Sequence, residues 1–243
     1  MKISRRHAWS GVLSLLVTLA LPVSASAGVQ PVESVRLTDG RTFAHWAHPE
    51  RIAPVRRLPS PTSRQVARTH YDTEDGFPEV YQVLRSLTHE GGQTWLQIRV
   101  PMRPNGRTGW VRDSALGPLN PVATRLLVER GRLRATLYRS GRRVWRSPIG
   151  VGATSTPTPA GRFWIREKFN VADSGGPYGP RAFGTSAYSV LSDWPGGGVI
   201  GLHGTNEPYL IPGRPSHGCI RIPNPAIIRL AELMPIGTPV RIR

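Results

Sequence analysis

Ser216-His217-Gly218-Cys219-Ile220-Arg221 is the stretch on which the reading of this chain turns. It holds the only cysteine among 243 residues. A lone thiol cannot close an internal disulfide, so it is either a buried inert group or a reactive one. Gly218 precedes it and allows a sharp bend with no side chain in the path of a substrate. Backbone N–H groups around such a bend can face a developing oxyanion. Ile220-Arg221-Ile222 reads as a strand, which puts Arg221 on the face of Cys219, where it could hold a carboxylate.

Working upstream, Val199-Ile200-Gly201-Leu202 reads as a short apolar strand that delivers His203 at its end, followed by Gly204-Thr205. Two histidines, His203 and His217, thus flank one thiol. A free thiol titrates near 8.5, and its pKa must fall for a thiolate to form near neutral pH. A neighbouring imidazole can take the proton and return it to a leaving amine. Spacing does not say which histidine is the base. Taken singly, His203 could be a core histidine, Cys219 a structural thiol and Arg221 a surface charge. Two histidines and a cysteine could also bind zinc with one open position, although no adjacent residues that would orient such ligands are evident.

Strands and turns continue on both sides. Arg125–Val128, Leu133–Tyr138, Arg142–Ser147 and Phe163–Arg166 read as strands, with turns at Arg130-Gly131 and Ser140-Gly141 and a loop over Ser155–Gly161. Ser174–Tyr178 and Pro195–Gly198 read as Gly/Pro loops, with Ala187–Leu191 strand-like between them. Asn224-Pro225 marks a helix start, with Asn224 as a cap and Pro225 in the first turn, and the helix is expected over 226–234. Pro239–Ile242 is a last strand. Nearer the start, residues 28–45 look like an extended lead-in. Glu79–Leu84, Gln93–Val100 and Thr108–Val111 are strand-like, with Asn105-Gly106 as a hairpin turn. Leu116–Pro121 reads as a linker.

His203-Gly204-Thr205, a dozen residues and then Ser216-His217-Gly218-Cys219-Ile220-Arg221 closely resemble the L,D-transpeptidase catalytic domain, or YkuD, family. The resemblance covers residues 122–243. Gly176–Gly184 resembles the loop before the family's histidine strand, and Gly237–Val240 its usual ending. Residues 45–117 resemble a bacterial SH3-like domain, through Trp95-Leu96-Gln97-Ile98 leading by a turn to Gly109-Trp110-Val111. The fold implied is mainly β: a small SH3-like β-barrel, then a β-rich sandwich with one or two short helices. Cys219 would be the nucleophile and His203 the base and then the acid, oriented by the Gly204 carbonyl. Backbone N–H groups of His217, Gly218 and Cys219 would serve the oxyanion. Ser216, Arg221, Tyr178 and Thr205 would shape the pocket and hold substrate.

The activity implied is transfer of an acyl group from a peptidoglycan tetrapeptide stem to an amine, through a Cys219 thioester. Water or a lipoprotein lysine are alternative acceptors, and carbapenem-type β-lactams are the inhibitors implied. No metal or cofactor is needed. Papain-like wall hydrolases place the cysteine before the histidine, opposite to the order here. A non-catalytic wall-binding module is the reading from another class.

Composition sets the remaining bounds. Lys2, Arg5 and Arg6, an apolar run over Ser10–Val23, and Ala25-Ser26-Ala27 make residues 1–27 a secretory leader, the alternative being a retained anchor. The protein is therefore expected in the periplasm or cell wall. No later segment is long and apolar enough to span a bilayer. The formal charge of +17 suits anionic partners, but the arginines are scattered. Without a basic tail or nucleic-acid motif, and with export expected, a nucleic acid partner is not indicated. The charge reads as a solvated basic surface.

Overall fold

The computed structural model describes residues 31–193 and 195–243. The leader read in 1–27 lies outside the described residues. Eight strands build the first sheet: β1 (Pro31–Arg36), β2 (Ala44–Ala47), β3 (Pro54–Arg56), β4 (Gln65–Arg68), β5 (Tyr81–His89), β6 (Thr94–Arg99), β7 (Thr108–Arg112) and β8 (Asn120–Val122). Their order is β4-β3-β7-β6-β5-β2-β8, with β1 also on β5. The nine-residue β5 organises this sheet. Its first half pairs with β2, its second half with β1, and its other edge with β6.

The sheet has two free ends, so the closed barrel expected from the SH3-like resemblance is not formed among the described residues. The end strand β8 carries Pro121, which has no N–H to donate and suits an edge. The sheet also draws on segments read as lead-in and linker. β1 pairs along β5, and β8 pairs with β2. Leu96, Ile98, Val83, Tyr81, Val111 and Val55 form a core of this part's own.

The remainder is two sheets and one helix. β9 (Thr124–Glu129), β10 (Arg134–Arg139) and β11 (Arg142–Pro148) form a meander across the expected turns. β12 (Gly150–Gly152), β13 (Gly161–Trp164), β14 (Phe169–Asn170), β15 (Arg181–Tyr188), β16 (Val199–His203), β17 (Gly213–Ser216) and β18 (Ile220–Arg221) follow. Helix α1 (Asn224–Leu233) and β19 (Pro239–Ile242) close the chain. One sheet runs β11-β10-β9-β19-β13, the other β14-β15-β16-β18-β12-β17. Their inner faces bury Leu126, Leu137, Phe163, Phe183, Ile200, Leu202 and Ile220 with Ile227 and Leu230 of α1. Fully burying one such side chain is worth about 1.5–3 kcal/mol. This core holds the strand ends that carry the site.

β15 begins earlier than its sequence suggests. Residues 181–184 read as loop, yet they are strand, and every residue from Ala182 to Tyr188 is buried. A strand covered on both faces has no alternation to reveal it. Its glycine also has a packing reason: a Cβ on Gly184 would lie 2.2 Å from Glu167 Oε2.

Polar contacts join the first sheet to the rest. Arg166, 1 % exposed, makes a two-pronged bond to Glu79, Nε to Oε1 at 2.8 Å and Nη2 to Oε2 at 2.5 Å. Its Nη1 lies 2.9 Å from Glu74, whose other oxygen accepts from the Tyr188 hydroxyl. Trp164 Nε1 donates to the Val80 carbonyl at 2.6 Å. Arg103 Nη2 reaches the carbonyls of Ser189, Leu191 and Gly197, and its guanidinium lies over the Tyr188 ring. No helix among the described residues is long and apolar enough to cross a membrane.

Candidate active site

Parallel pairing of β16 with β18, Leu202 against Ile220 and His203 against Arg221, brings the two motifs side by side. Cys219 comes just before β18 and His203 ends β16. Between them lies Gly201, whose N–H donates to Cys219 Sγ at 3.4 Å. A Cβ on Gly201 would lie 3.9 Å from Cys219 Sγ and 3.9 Å from His203 Cδ2. Gly201 thus lies within contact range of both the thiol and the imidazole.

His203 is buried, and its Nδ1 lies 2.6 Å from the carbonyl oxygen of Gly204. A carbonyl can only accept, so Nδ1 carries the proton and Nε2 is left with a bare lone pair. Cδ2, the ring atom bonded to Nε2, is the His203 atom nearest that Gly201 position. Burial first, and then the Arg221 charge, lower the imidazole pKa from 6.5 to about 4, against the Gly204 bond, which raises it. Burial also raises the Cys219 thiol, against the Gly201 N–H bond and Arg221, which favour thiolate. The resting pair is therefore neutral imidazole and thiol. A lowered thiol pKa, expected from the sequence, is not what this environment produces, because desolvation outweighs both favourable contacts.

The bend before the sulfur depends on Gly218. Its φ is +129°, and a Cβ would fall 2.8 Å from Ile200 Cδ1. The bend is tied down on each side. Ser216 Oγ donates to the Cys219 carbonyl at 2.6 Å and accepts the Gly218 N–H at 3.2 Å. Thr158 Oγ1 donates to the Gly218 carbonyl at 2.7 Å and accepts the Gly152 N–H at 2.9 Å. Ser216 thus braces the bend from a buried position. His217 is exposed beside it.

The histidine turn is held by a close approach of two chain segments. Gly179, at φ +61°, and Gly204 pack backbone to backbone: a Cβ on Gly179 would lie 2.7 Å from Gly204 Cα. Asn224 Oδ1 covers the contact and accepts the Thr205 N–H at 2.8 Å. The sequence suggested Asn224 as a helix cap. It sits instead inside α1, with Pro223 at the cap position, and its side chain serves the turn. Thr205, 1 % exposed, accepts the Glu207 N–H and lines neither pocket beside the sulfur. The Tyr178 ring meets the His203 ring edge-on, centroids 4.8 Å apart.

Two pockets share Tyr178, Val199, His203 and Cys219 and lie on either side of the sulfur. One, of about 320 Å³, includes Ser189, Ser216, His217 and Arg221. Arg221 Nη1 pairs with Glu207 at 2.6 Å, a partner the sequence did not suggest, while its Nε is buried without a hydrogen-bond partner. The other, of about 260 Å³, adds Asp75, Glu167, Phe169 and Val171. Asp75 comes from the segment between β4 and β5 and Glu167 follows β13. Neither carries a local sequence signal. Among the described residues, no three His, Cys, Asp or Glu side chains are grouped to hold a metal ion.

Comparison with known proteins finds one family. The model of the YkuD family, the L,D-transpeptidase catalytic domain, matches residues 123–242. A Bacillus subtilis protein named as the L,D-transpeptidase YkuD is 35 % identical over 117 residues, 48 % of this chain and 64 % of that protein. Its Bacillus licheniformis namesake is 37 % identical over 106 residues, 44 % of this chain and 57 % of its own. The matched part therefore spans less than two thirds of these relatives. Among solved structures, the avibactam carbamoyl enzyme of Ldtfm is 25 % identical, with a TM-score of 0.40 over 49 % of this chain and 48 % of that one.

Proposed function

We propose that the protein is a cysteine-dependent peptidoglycan L,D-transpeptidase acting outside the inner membrane, in keeping with the match of residues 123–242 to the L,D-transpeptidase catalytic domain family. The observation that carries this reading is the His203 imidazole, fixed by the Gly204 carbonyl at 2.6 Å with Nε2 left as the basic nitrogen, on the strand paired beside the one that follows Cys219. A neutral thiol beside a neutral imidazole works by proton transfer during attack.

Cys219 Sγ attacks the carbonyl carbon of the third, L-centred residue of a tetrapeptide stem, and its proton passes to His203 Nε2. The tetrahedral oxyanion sits at the Gly218 bend. Backbone N–H groups around that bend are its donors, the Gly218 N–H being itself held by Ser216 Oγ at 3.2 Å. The C–N bond then breaks, Nε2 returns the proton to the departing D-alanine amine, and a thioester remains. An amine from a second stem attacks it, gives its proton to Nε2, and the thiol is restored.

The cleft is polarised about the sulfur. Arg221 and His217 mark the side suited to the donor's terminal carboxylate, and Asp75 and Glu167 the side suited to an incoming ammonium group.

Intact-protein mass spectrometry after carbapenem treatment, run beside assay of D-alanine released from tetrapeptide stems, tests this function. One covalent adduct and D-alanine release are expected for the native chain, and neither for Cys219→Ala. An adduct undiminished in that variant would sink the cysteine mechanism. Stem binding without release, unchanged in the variant, would favour a wall-binding module.

A further inference from the structure

A cavity of about 700 Å³ lies away from Cys219, between the first sheet and the β9–β19–β13 edge of the second. Eight of its lining residues are arginines. They are not scattered as the sequence suggested. Both walls place them in opposed pairs: Arg36 faces Arg85 across β1 and β5, and Arg162 faces Arg241 across β13 and β19. Like charges directly opposite on neighbouring strands repel and destabilise a sheet. Arg99 lies half-buried between these walls, and its charged form is disfavoured by burial and by Arg162 and Arg241.

Compensation from within the protein is nearly absent. The only acidic side chain in the lining is Asp39, which accepts N–H groups of Arg41, Thr42 and Phe43 and the Thr42 hydroxyl. Of the eight arginines, only Arg243 has a carboxylate partner among the described residues, Glu129 at 2.9 Å. The remaining polar lining is neutral, Thr38, Gln82 and Gln97. A concave surface that concentrates uncompensated guanidinium groups from two sheets is built for a multivalent anion.

We propose that this cavity is a binding site for a ligand with closely spaced phosphates, separate from the acyl-transfer cleft. Phosphate is favoured over carboxylate because each group offers several oxygens to the two-pronged guanidinium, so few ligand units satisfy many arginines. The volume exceeds what one phosphate fills, which points to a chain of them. The same chemistry occurs in soluble polyphosphate or phosphodiester chains and in anionic lipid headgroups.

The test is calorimetric titration of the full chain with tripolyphosphate, citrate and phosphatidylglycerol vesicles at low and high salt. Saturable tripolyphosphate binding is expected, weakening as salt rises. It should fall at least about tenfold in an Arg162→Ala/Arg241→Ala variant. An Arg142→Ala/Arg143→Ala variant, altered on β11 outside the cavity, should bind like the native chain. Binding of vesicles with the same variant pattern assigns the phosphates to lipid, and binding of tripolyphosphate alone assigns them to a soluble chain. Either supports the site. Equal losses in the two variants, equal affinity for citrate, or no saturable binding would overturn it. Because the cavity shares no residue with the pockets beside Cys219, D-alanine release should be unchanged in both variants. Absence of release in the native chain would concern the enzyme reading, not this one, whereas loss of release in the Arg162→Ala/Arg241→Ala variant alone would overturn the separation of the two sites.

Discussion

Replacing Arg166 by methionine should lower the stability of the whole chain more than any surface substitution. Arg166 and Glu79 are both essentially inaccessible, at 1 % and 0 % exposure. Methionine keeps much of the volume but leaves Glu79 buried with its counter-charge gone, and Glu74 beside it. Removing one partner of a buried ion pair costs about 3–5 kcal/mol, because the orphaned charge keeps its desolvation penalty. At roughly 2–4 °C per kcal/mol for a chain of this size, the melting temperature should fall by about 6–20 °C.

Differential scanning calorimetry at pH 7 measures this directly. The companion variant, Glu79→Met with Arg166→Met, removes both charges and should recover most of the loss, since a well-packed apolar pair can match a buried ion pair. If Arg166→Met melts within 2 °C of the native chain, as surface substitutions do, the pair is not buried as described. If the double variant is as unstable as the single one, packing rather than charge explains the effect.

Three further outcomes follow from the site. Gly218→Ala forces a side chain onto φ +129° and into Ile200, so it should cost about 1–3 kcal/mol and abolish D-alanine release, read from urea melts and the release assay. Asn224→Ala leaves the Thr205 N–H without its acceptor, at about 1–3 kcal/mol, and should lower kcat more than it raises KM. His203 binds its proton only near pH 4 when folded but near 6.5 when unfolded. The unfolded chain takes up that proton first, so stability should decline as pH falls from 6.5 to 4, by about 3 kcal/mol in all. Melts at pH 7 and 4.5, with His203→Asn removing that part of the slope, check the sign. The acid limb of kcat/KM should lie near 4 rather than 6.5.

Legibility in the sequence tracked locality. Gly218-Cys219 and His203-Gly204 are contiguous, and each glycine is required by a backbone constraint that no other residue meets, so the motif carries its own geometry. The turns at Asn105-Gly106 and Ser140-Gly141 and the strands around them were readable for the same reason. Asn224, Glu207, Asp75 and Glu167 reach the site through tertiary packing and left no periodic or adjacent sign. Asn224 misled because an asparagine before a proline satisfies the rule for a helix start equally well whether it caps the helix or supports a neighbouring turn. β15 misled because its small residues are buried on both faces.

The segments least readable from the sequence decide how firmly the site is held. The thiol and the imidazole sit at strand ends, where the backbone has the fewest ladder bonds to fix it. The structure supplies that restraint from outside the motif. Asn224 and Gly179 pin the histidine turn, and Thr158 and Ser216 pin the cysteine bend. Arg103 of the first part reaches the carbonyls of Ser189, Leu191 and Gly197, beside the pocket that holds Arg221. Asp75, from the same part, lines the opposite pocket. The first sheet therefore acts on both sides of the sulfur, bracing one wall and contributing a carboxylate to the other. Cutting the Arg166–Glu79 link loosens the frame in which both contributions are made. Activity in the Arg166→Met variant should accordingly fail at a temperature below its calorimetric melting point, and coincidence of the two would mean that the clamp sets global stability alone.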